Sequence, residues 1–385
     1  MKTSTFDKVK IGIFAGALAV TFIACVVHKP SEFSERENRF LAAKPKFTFA
    51  KVADGSFMKD YESYITDQIP GRDGFTAVKT LAETGRGSLD ENGVYFGKEG
   101  YLIGKYDASL FENEKAEGNI KALGAFSREY SEKFGGDHFS VVMVPSSSEI
   151  LKDKLPTLAV PYDQREFIKN AETAVGSEYF IDASSALNAH KDEYIYYRTD
   201  HHYTTLGAYY VYEAWRKHLD ASAVKLTDFT DEEVPDFYGT YDSKVNTALA
   251  GGVTADTINI YHNKLTDSAK MTWDGKEDKV YTGIYDETKL SVKDKYSVFF
   301  GGNHGITDID TGSGKEGKLL IIKDSYAHSL APFALSDYGR IIMVDLRYFN
   351  KSLKKYIEEN GISDILVLYS TADFAEDANM AKLLR

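Results

Sequence analysis

The chain has 385 residues, 43% of them apolar and 27% charged, which is ordinary globular composition with enough length for a large folded core. Its 58 acidic residues outnumber 46 basic ones, and the net charge of −12 argues against a nucleic-acid partner, which demands basic patches to neutralise phosphates. The only cysteine, Cys25, has no partner within the chain, so no internal disulfide forms.

At the N-terminus, Lys2, Lys8 and Lys10 precede Ile11 to Val27, seventeen residues without a charge, followed by His28, Lys29 and Pro30. A basic flank and an apolar run at the short end of what crosses a bilayer describe either an uncleaved signal anchor or a removed signal peptide. The absence of an Ala-x-Ala-like site before a polar stretch favours the anchor. Cys25 follows Phe22-Ile23-Ala24, a poor lipoprotein site with Phe where Leu is usual, and reads better as a transmembrane Cys. Positive charges before the span place the rest of the chain outside the cytoplasm, as a single-pass protein of the cell membrane. Residues 1–30 are therefore read as the anchor, 31–56, polar and weakly periodic, as a linker, and 57–385 as the folded domain.

Within that domain, Phe57 to Thr84 reads as helix, with Phe57, Tyr61, Tyr64 and Ile65 at helical spacing and a break at Pro70-Gly71. Val94 to Ile103, VYFGKEGYLI, predicts a hairpin around Gly97 to Gly100. From about residue 115, helical segments alternate with short apolar runs at Phe139–Val144, Tyr179–Asp182, Leu319–Ile322, Ile341–Val344 and Ile365–Leu368. The run FSVVMV, closed by Pro145, suits a strand buried on both faces. Strands alternating with helices predict an α/β fold whose mostly parallel, doubly wound sheet is flanked by helices. The helix at Lys351–Glu359 has Asn350 as its expected N-cap and Gly361 past its end. The stretch from about 226 to 300, rich in Tyr, Thr, Asp and Lys, has no clear helix and reads as a β-rich insertion.

Three segments carry chemistry. In Tyr196-Tyr197-Arg198-Thr199-Asp200-His201-His202-Tyr203-Thr204, an Asp two residues before a His shares its side of an extended chain, so Asp200 can orient His202 as a general base. Thr204 or Thr205 would cap the helix that follows. A surface turn or a polar cluster would give the same letters. A zinc site would need at least three ligands in set positions, and His304 and His328 show no ligand spacing, so no metal and no cofactor is expected. In Leu319 to Ser329, Ser325 stands at a strand-to-helix turn, where α/β sheets place their ligands and where helix N–H groups can hold an oxyanion; as an N-cap it would be merely structural. In Val344-Asp345-Leu346-Arg347-Tyr348, Arg347 either binds substrate charge or pairs with Asp345.

These segments, in this order, resemble the DHHW family of bacterial surface proteins, relatives of the alginate O-acetyltransferases with an SGNH-hydrolase-like, flavodoxin-like fold. The name motif stands here as Asp200-His201-His202-Tyr203, with Tyr in place of Trp. The likeness extends to Ser34-Glu35-Arg36-Glu37-Asn38-Arg39, to Asp67-Gln68-Ile69-Pro70-Gly71-Arg72-Asp73 and to Lys323-Asp324-Ser325-Tyr326, and so spreads from about residue 31 to 350. The resemblance implies a triad of Asp200, His202 and Ser325, with Arg347, Tyr203 and Tyr326 on the substrate side. Asn303, in Gly301-Gly302-Asn303, is the oxyanion candidate. It further implies a partner, a multi-spanning membrane O-acyltransferase that delivers acetyl groups, and a cell-surface polysaccharide as substrate.

The expectation is therefore an extracytoplasmic serine-dependent O-acetyltransferase or acetylesterase. The alternative is a catalytically idle protein of the same fold that binds a glycan or assists its assembly or export. Beyond residue 30 there is no second long apolar run. Deleting residues 1–30 should accordingly yield a soluble, folded protein, and size-exclusion chromatography showing only aggregate would count against an anchor followed by an ectodomain.

Overall fold

The computed structural model describes residues 5–276 and 279–385. It parts into two compact units, one formed by the chain up to Gly87 together with Ser243–Gly251, the other by Ser88–Asp242 and Gly252–Arg385. In the first unit, helix α1 (Thr5–Val27) reaches a mean hydropathy of 2.2 and has no buried residue. It is long and apolar enough to cross a membrane, and fits either an anchor or a signal sequence.

The segment expected as a linker is tied down. Arg39 forms two parallel bonds to Asp67 (2.9 and 2.6 Å), Asp67 also accepts the Ala42 N–H at 2.8 Å, and Glu37 bridges Arg39 and Arg72. The motifs at residues 34–39 and 67–73 are thus two halves of one ion-pair cluster. The hydrogen-bonded Arg39 guanidinium holds the Asp67 carboxyl below its usual range. The first boundary between units consequently falls at Gly87 and not at residue 56. Helices α2 (Ser56–Asp67) and α3 (Arg72–Gly85) follow, broken where expected, with Gly71 in the left-handed region (φ 74°) as the N-cap of α3.

The second unit is built on an eight-stranded sheet. Its strands are β1 (Phe139–Val144), β2 (Phe180–Asp182), β3 (Lys270–Trp273), β4 (Tyr281–Thr282), β5 (Ile306–Asp310), β6 (Lys318–Lys323), β7 (Arg340–Val344) and β8 (Asp364–Ser370), in spatial order β4-β3-β5-β7-β6-β8-β1-β2. From β7 to β2 every neighbour is parallel, and β5, β3 and β4 add antiparallel strands beyond β7. Alternate residues of the parallel strands enter two separate cores: Val142, Ile321, Met343 and Leu368 on one face, Val141, Ile322, Val344 and Val367 on the other. Both faces are covered, which is why these strands read as unbroken apolar runs. Helices α4 (Glu114–Phe134) and α5 (Gln164–Val175) supply Leu123, Phe126, Phe167 and Ile168 to the second face. Helices α6 (Thr205–His218) and α7 (Ala327–Ala334) supply Val211, Tyr212, Trp215 and Leu330 to the first.

Two details differ from the sequence reading. Helix α8 (Leu353–Asn360) is capped by Ser352, whose side chain accepts from the Lys355 N–H, and not by Asn350; Gly361 ends it in the left-handed region. The region 226–300 is only partly an excursion: Thr230–Phe237 and Asp256–His262 form a separate antiparallel pair, whereas β3 and β4 join the main sheet through β5. The expected hairpin near Gly97 is present, with Val94–Phe96 paired to Leu102–Gly104.

Helix α6 begins immediately after the Asp-His-His segment. Thr204 is its N-cap, its Oγ1 accepting from the Gly207 N–H (3.2 Å) while donating to the Tyr194 carbonyl (2.7 Å). Thr204→Ala should lower the unfolding free energy by about 1 kcal/mol in chemical denaturation, the usual cost of losing such a cap.

Candidate active site

The Asp200 segment is not extended. Tyr196 and Tyr203 form an isolated antiparallel bridge, and the Tyr197 N–H donates to the His202 carbonyl (3.2 Å), so residues 198–202 make a tight loop between them. Asp200 Oδ1 accepts the His202 backbone N–H (3.1 Å) and lies 2.5 Å from His202 Nδ1. A local side-chain-to-backbone turn, not strand alternation, therefore sets the Asp on its His. Because a carboxylate only accepts, Nδ1 carries the imidazole proton and the Nε2 lone pair faces the other way. Ser325 Oγ is there, 2.7 Å from His202 Nε2.

All three groups are nearly out of water, with Asp200 2%, His202 4% and Ser325 8% exposed. Burial by itself would raise the Asp200 pKa, but the His201 and His202 imidazoles, the hydrogen bond from His202 and the Thr240 N–H hold it well below the usual carboxylate range. Thr240 donates twice to Asp200 Oδ2, from its N–H (2.8 Å) and its hydroxyl (3.0 Å). Gly239 lets this segment come close: a Cβ there would stand 2.3 Å from both Cβ and Oδ2 of Asp200. Behind the loop, the fully buried Asp256 carboxylate accepts from the N–H groups of Arg198 (2.6 Å) and Thr199 (2.8 Å), the Thr199 hydroxyl (2.6 Å) and the Tyr194 hydroxyl.

Ser325 occupies the turn between β6 and α7. Its hydroxyl is not a helix cap, since α7 starts at Ala327 without a side-chain cap. The Ser325 N–H has no partner among the described residues and is available at the nucleophile. Asp324 pins the turn by accepting the N–H groups of Tyr326 (2.9 Å) and Ser370 (2.7 Å), and burial pushes its carboxyl up to about 7.

Two tyrosines strap the loop to the turn in opposite directions. Tyr203 donates its hydroxyl to the Tyr326 carbonyl (2.7 Å), and Tyr326 donates to the His201 carbonyl, the rings meeting edge to face at 4.8 Å. Tyr296 lies flat on His202, with ring centroids 3.9 Å apart and planes 11° from parallel, and donates to the Ser325 carbonyl (3.1 Å). Tyr203 and Tyr326, expected on the substrate side, are thus buried positioning residues.

Arg347 and Asn303 are also placed differently from expectation. Arg347 pairs with Asp345 through Nε (2.9 Å) and Nη2 (2.6 Å), the structural option left open by the sequence. The Asn303 amide oxygen accepts from Lys323 Nζ (3.3 Å), which ties it to the buried lysine of β6. Lys323 itself is buried among His328 Nε2 (2.6 Å) and Asp345 (3.6 Å), and burial lowers its ammonium to about 8. Asp200, His201 and His202 bring three potential ligand atoms within 4.8 Å of one another. Yet Asp200 and His202 already engage Thr240, each other and Ser325, so a cation would have to break the relay.

Sequence reasoning missed Gly239, Thr240, Asp256 and Tyr296. All four come from the region read as an insertion, and no local pattern marks them; only the fold brings them to the loop.

The sequence profile of the DHHW protein family matches residues 166–344, a stretch that holds both the Asp200 loop and the Ser325 turn. Among solved structures, a DHHW family protein from Eubacterium siraeum is 25% identical, with a TM-score of 0.61 over 77% of this chain and 96% of its own. PatB1 from Bacillus cereus is 18% identical, with a TM-score of 0.60 over 75% of this chain and 99% of its own. PatB1 with a sulfonyl adduct matches equally well, over 96% of that chain. No curated protein matches in sequence. The resemblance to the DHHW family is borne out, and so is the α/β fold with a mostly parallel sheet.

Gly239→Ala should drive the new methyl group into Asp200. The expected result is a stability loss of about 1–3 kcal/mol, the usual cost of overpacking, with loss of the downfield Nδ1 proton signal of His202 in NMR. An unshifted signal would show that the loop tolerates the methyl group and that Gly239 does not hold Asp200.

Proposed function

We propose that the chain is a serine-dependent acyl-transfer enzyme that moves or removes acetyl esters on an extracytoplasmic polysaccharide. The observation that carries this is the unbroken relay from Asp200 through His202 to Ser325 Oγ. The choice of acetyl group and glycan rests on the family resemblance. An idle glycan-binding protein of this fold would not need the serine hydroxyl aimed at an imidazole nitrogen. A partner membrane O-acyltransferase would supply the acetyl group, with this chain held at the membrane through α1.

In the reaction, Ser325 Oγ attacks the acetyl carbonyl carbon while His202 Nε2 takes the hydroxyl proton. Asp200 stabilises the imidazolium so formed without taking its proton. The negative charge on the tetrahedral intermediate falls beside the Ser325 N–H, a preorganised donor. Collapse breaks the bond to the donor oxygen, and His202 returns the proton to that leaving group. A sugar hydroxyl then gives its proton to His202, attacks the acetyl-serine and leaves as the new ester as Ser325 regains its proton. Water in place of the sugar makes the same cycle a hydrolysis.

Ser325→Ala should abolish turnover of p-nitrophenyl acetate and labelling by a fluorophosphonate or a sulfonyl fluoride, with the melting temperature kept. His202→Ala should fall to the same floor, because members of a triad act as one unit. Asp200→Asn should lose roughly a thousandfold or more, presenting His202 with the wrong hydrogen-bond partner. Arg347→Ala, which removes a partner of Asp345 and not of Ser325, should cost far less. Full activity in Ser325→Ala would overturn the assignment.

A further inference from the structure

A second feature shares the sheet edge with Ser325. The register aligns Ile322 with Val344 and Val344 with Ile306, so the residues after β6, after β7 and before β5 emerge at one edge. There, two strands from Ser325 and on the order of 10 Å away by strand spacing, lies a cavity of about 330 Å³ whose walls include Asp274, Asn303, His304, Tyr348, Asn350 and Lys351.

This cavity is a constructed one. The His304 ring stacks on Trp273 (4.2 Å, 13°), and Tyr281 packs against the same indole with ring centroids 3.9 Å apart. Gly301 permits that stack, since a Cβ there would stand 2.4 Å from the indole. Gly305 lets the chain pass the Tyr348 carbonyl, which a Cβ would approach to 2.9 Å. Buried atoms His304 Nε2 and Trp273 Nε1 have no hydrogen-bond partner among the described residues, an unusual state for native polar groups. Burial lowers the His304 pKa, which favours the neutral imidazole; one ring nitrogen is engaged with the Phe300 backbone, which leaves Nε2 as the atom without a partner.

The lining selects a ligand class. Two amides, an imidazole, one carboxylate and one ammonium are too polar for an acyl chain and hold too little positive charge for a phosphate. They suit the hydroxyl edge of a sugar, while Tyr348, 54% exposed, offers a ring for its C–H face. We infer that this cavity holds one pyranose unit of the acceptor glycan, at a distance that places a unit about two further along the same chain over Ser325. The inference rests on the acyl-transfer reading for its role, though not for its binding.

Binding is measured separately from chemistry in full-length Ser325→Ala protein, kept in an amine-oxide detergent that carries no sugar. Cellotetraose, chitotetraose and tetragalacturonate are titrated while tryptophan emission is followed, Trp273 being one of only two tryptophans. At least one tetrasaccharide should bind and change the emission, its monosaccharide more weakly. Tyr348→Ala and Lys351→Ala, added singly, should each weaken that binding about tenfold. In the Ser325-containing protein the same substitutions should raise the apparent KM for the tetrasaccharide acceptor relative to the rate of p-nitrophenyl acetate hydrolysis. If no tetrasaccharide binds, or if binding ignores both substitutions, the subsite is wrong, while p-nitrophenyl acetate turnover still reports on the triad. Sugar binding without any Ser325-dependent turnover would instead keep the subsite and remove the acyl-transfer reading.

Discussion

Asp200 has to remain ionised with almost none of its surface in water, and much of the second unit is arranged around that requirement. Desolvation drives a carboxyl toward its neutral form, and a neutral Asp200 could no longer stabilise a charged imidazole. Two donors from Thr240, the His202 N–H and two imidazoles offset the desolvation. Their approach depends on a glycine at 239, because any side chain there would occupy the space of the carboxylate. The Asp256 carboxylate then fixes the backbone that carries Asp200 from behind.

The second requirement is distance. The His202 and Ser325 segments are 123 residues apart in the chain, yet their side chains meet at 2.7 Å. The bonds from Tyr203 to the Tyr326 carbonyl and from Tyr326 to the His201 carbonyl hold the two backbones together, and Tyr296 stacks on the imidazole while donating to the serine carbonyl. Rigid aromatic side chains lose little entropy when ordered and their hydroxyls reach distant carbonyls. Tyr203 has that combination, a ring packed edge to face on Tyr326 and a hydroxyl that reaches the Tyr326 carbonyl.

The region between about 226 and 300 connects these requirements. It contributes Gly239, Thr240 and Asp256 to the Asp200 loop, Tyr296 to the imidazole, and Trp273 to the cavity at the neighbouring strands. A segment that looks like decoration on the sheet therefore supplies much of the polar environment of the site. In the first unit, the cluster of Arg39, Asp67, Glu37 and Arg72 has a similar logic, joining motifs that are separate in sequence into one interaction.

The five parallel strands, the broken helix at Pro70 and the cap at Thr204 were legible in the sequence because each depends on neighbours a few residues away: apolar runs, a residue without an N–H, a hydroxyl before a helix. Asp200, His202 and Ser325 were legible as residue types at a loop and a turn, and their order carried the family likeness. What the sequence left open was every relation across the chain. It did not separate Ser325 as a cap from Ser325 as a partner of His202, nor Arg347 facing a ligand from Arg347 paired with Asp345. Tyr203 and Tyr326 were expected on the substrate side because nothing local shows that their hydroxyls end on the Tyr326 and His201 carbonyls. Strand β5 and the roles of Gly239 and Asp256 were invisible for the same reason. Local order follows from short-range sterics and periodicity, whereas burial, close approach and hydrogen-bond partners across distant segments exist only once the sheet has brought its edges together.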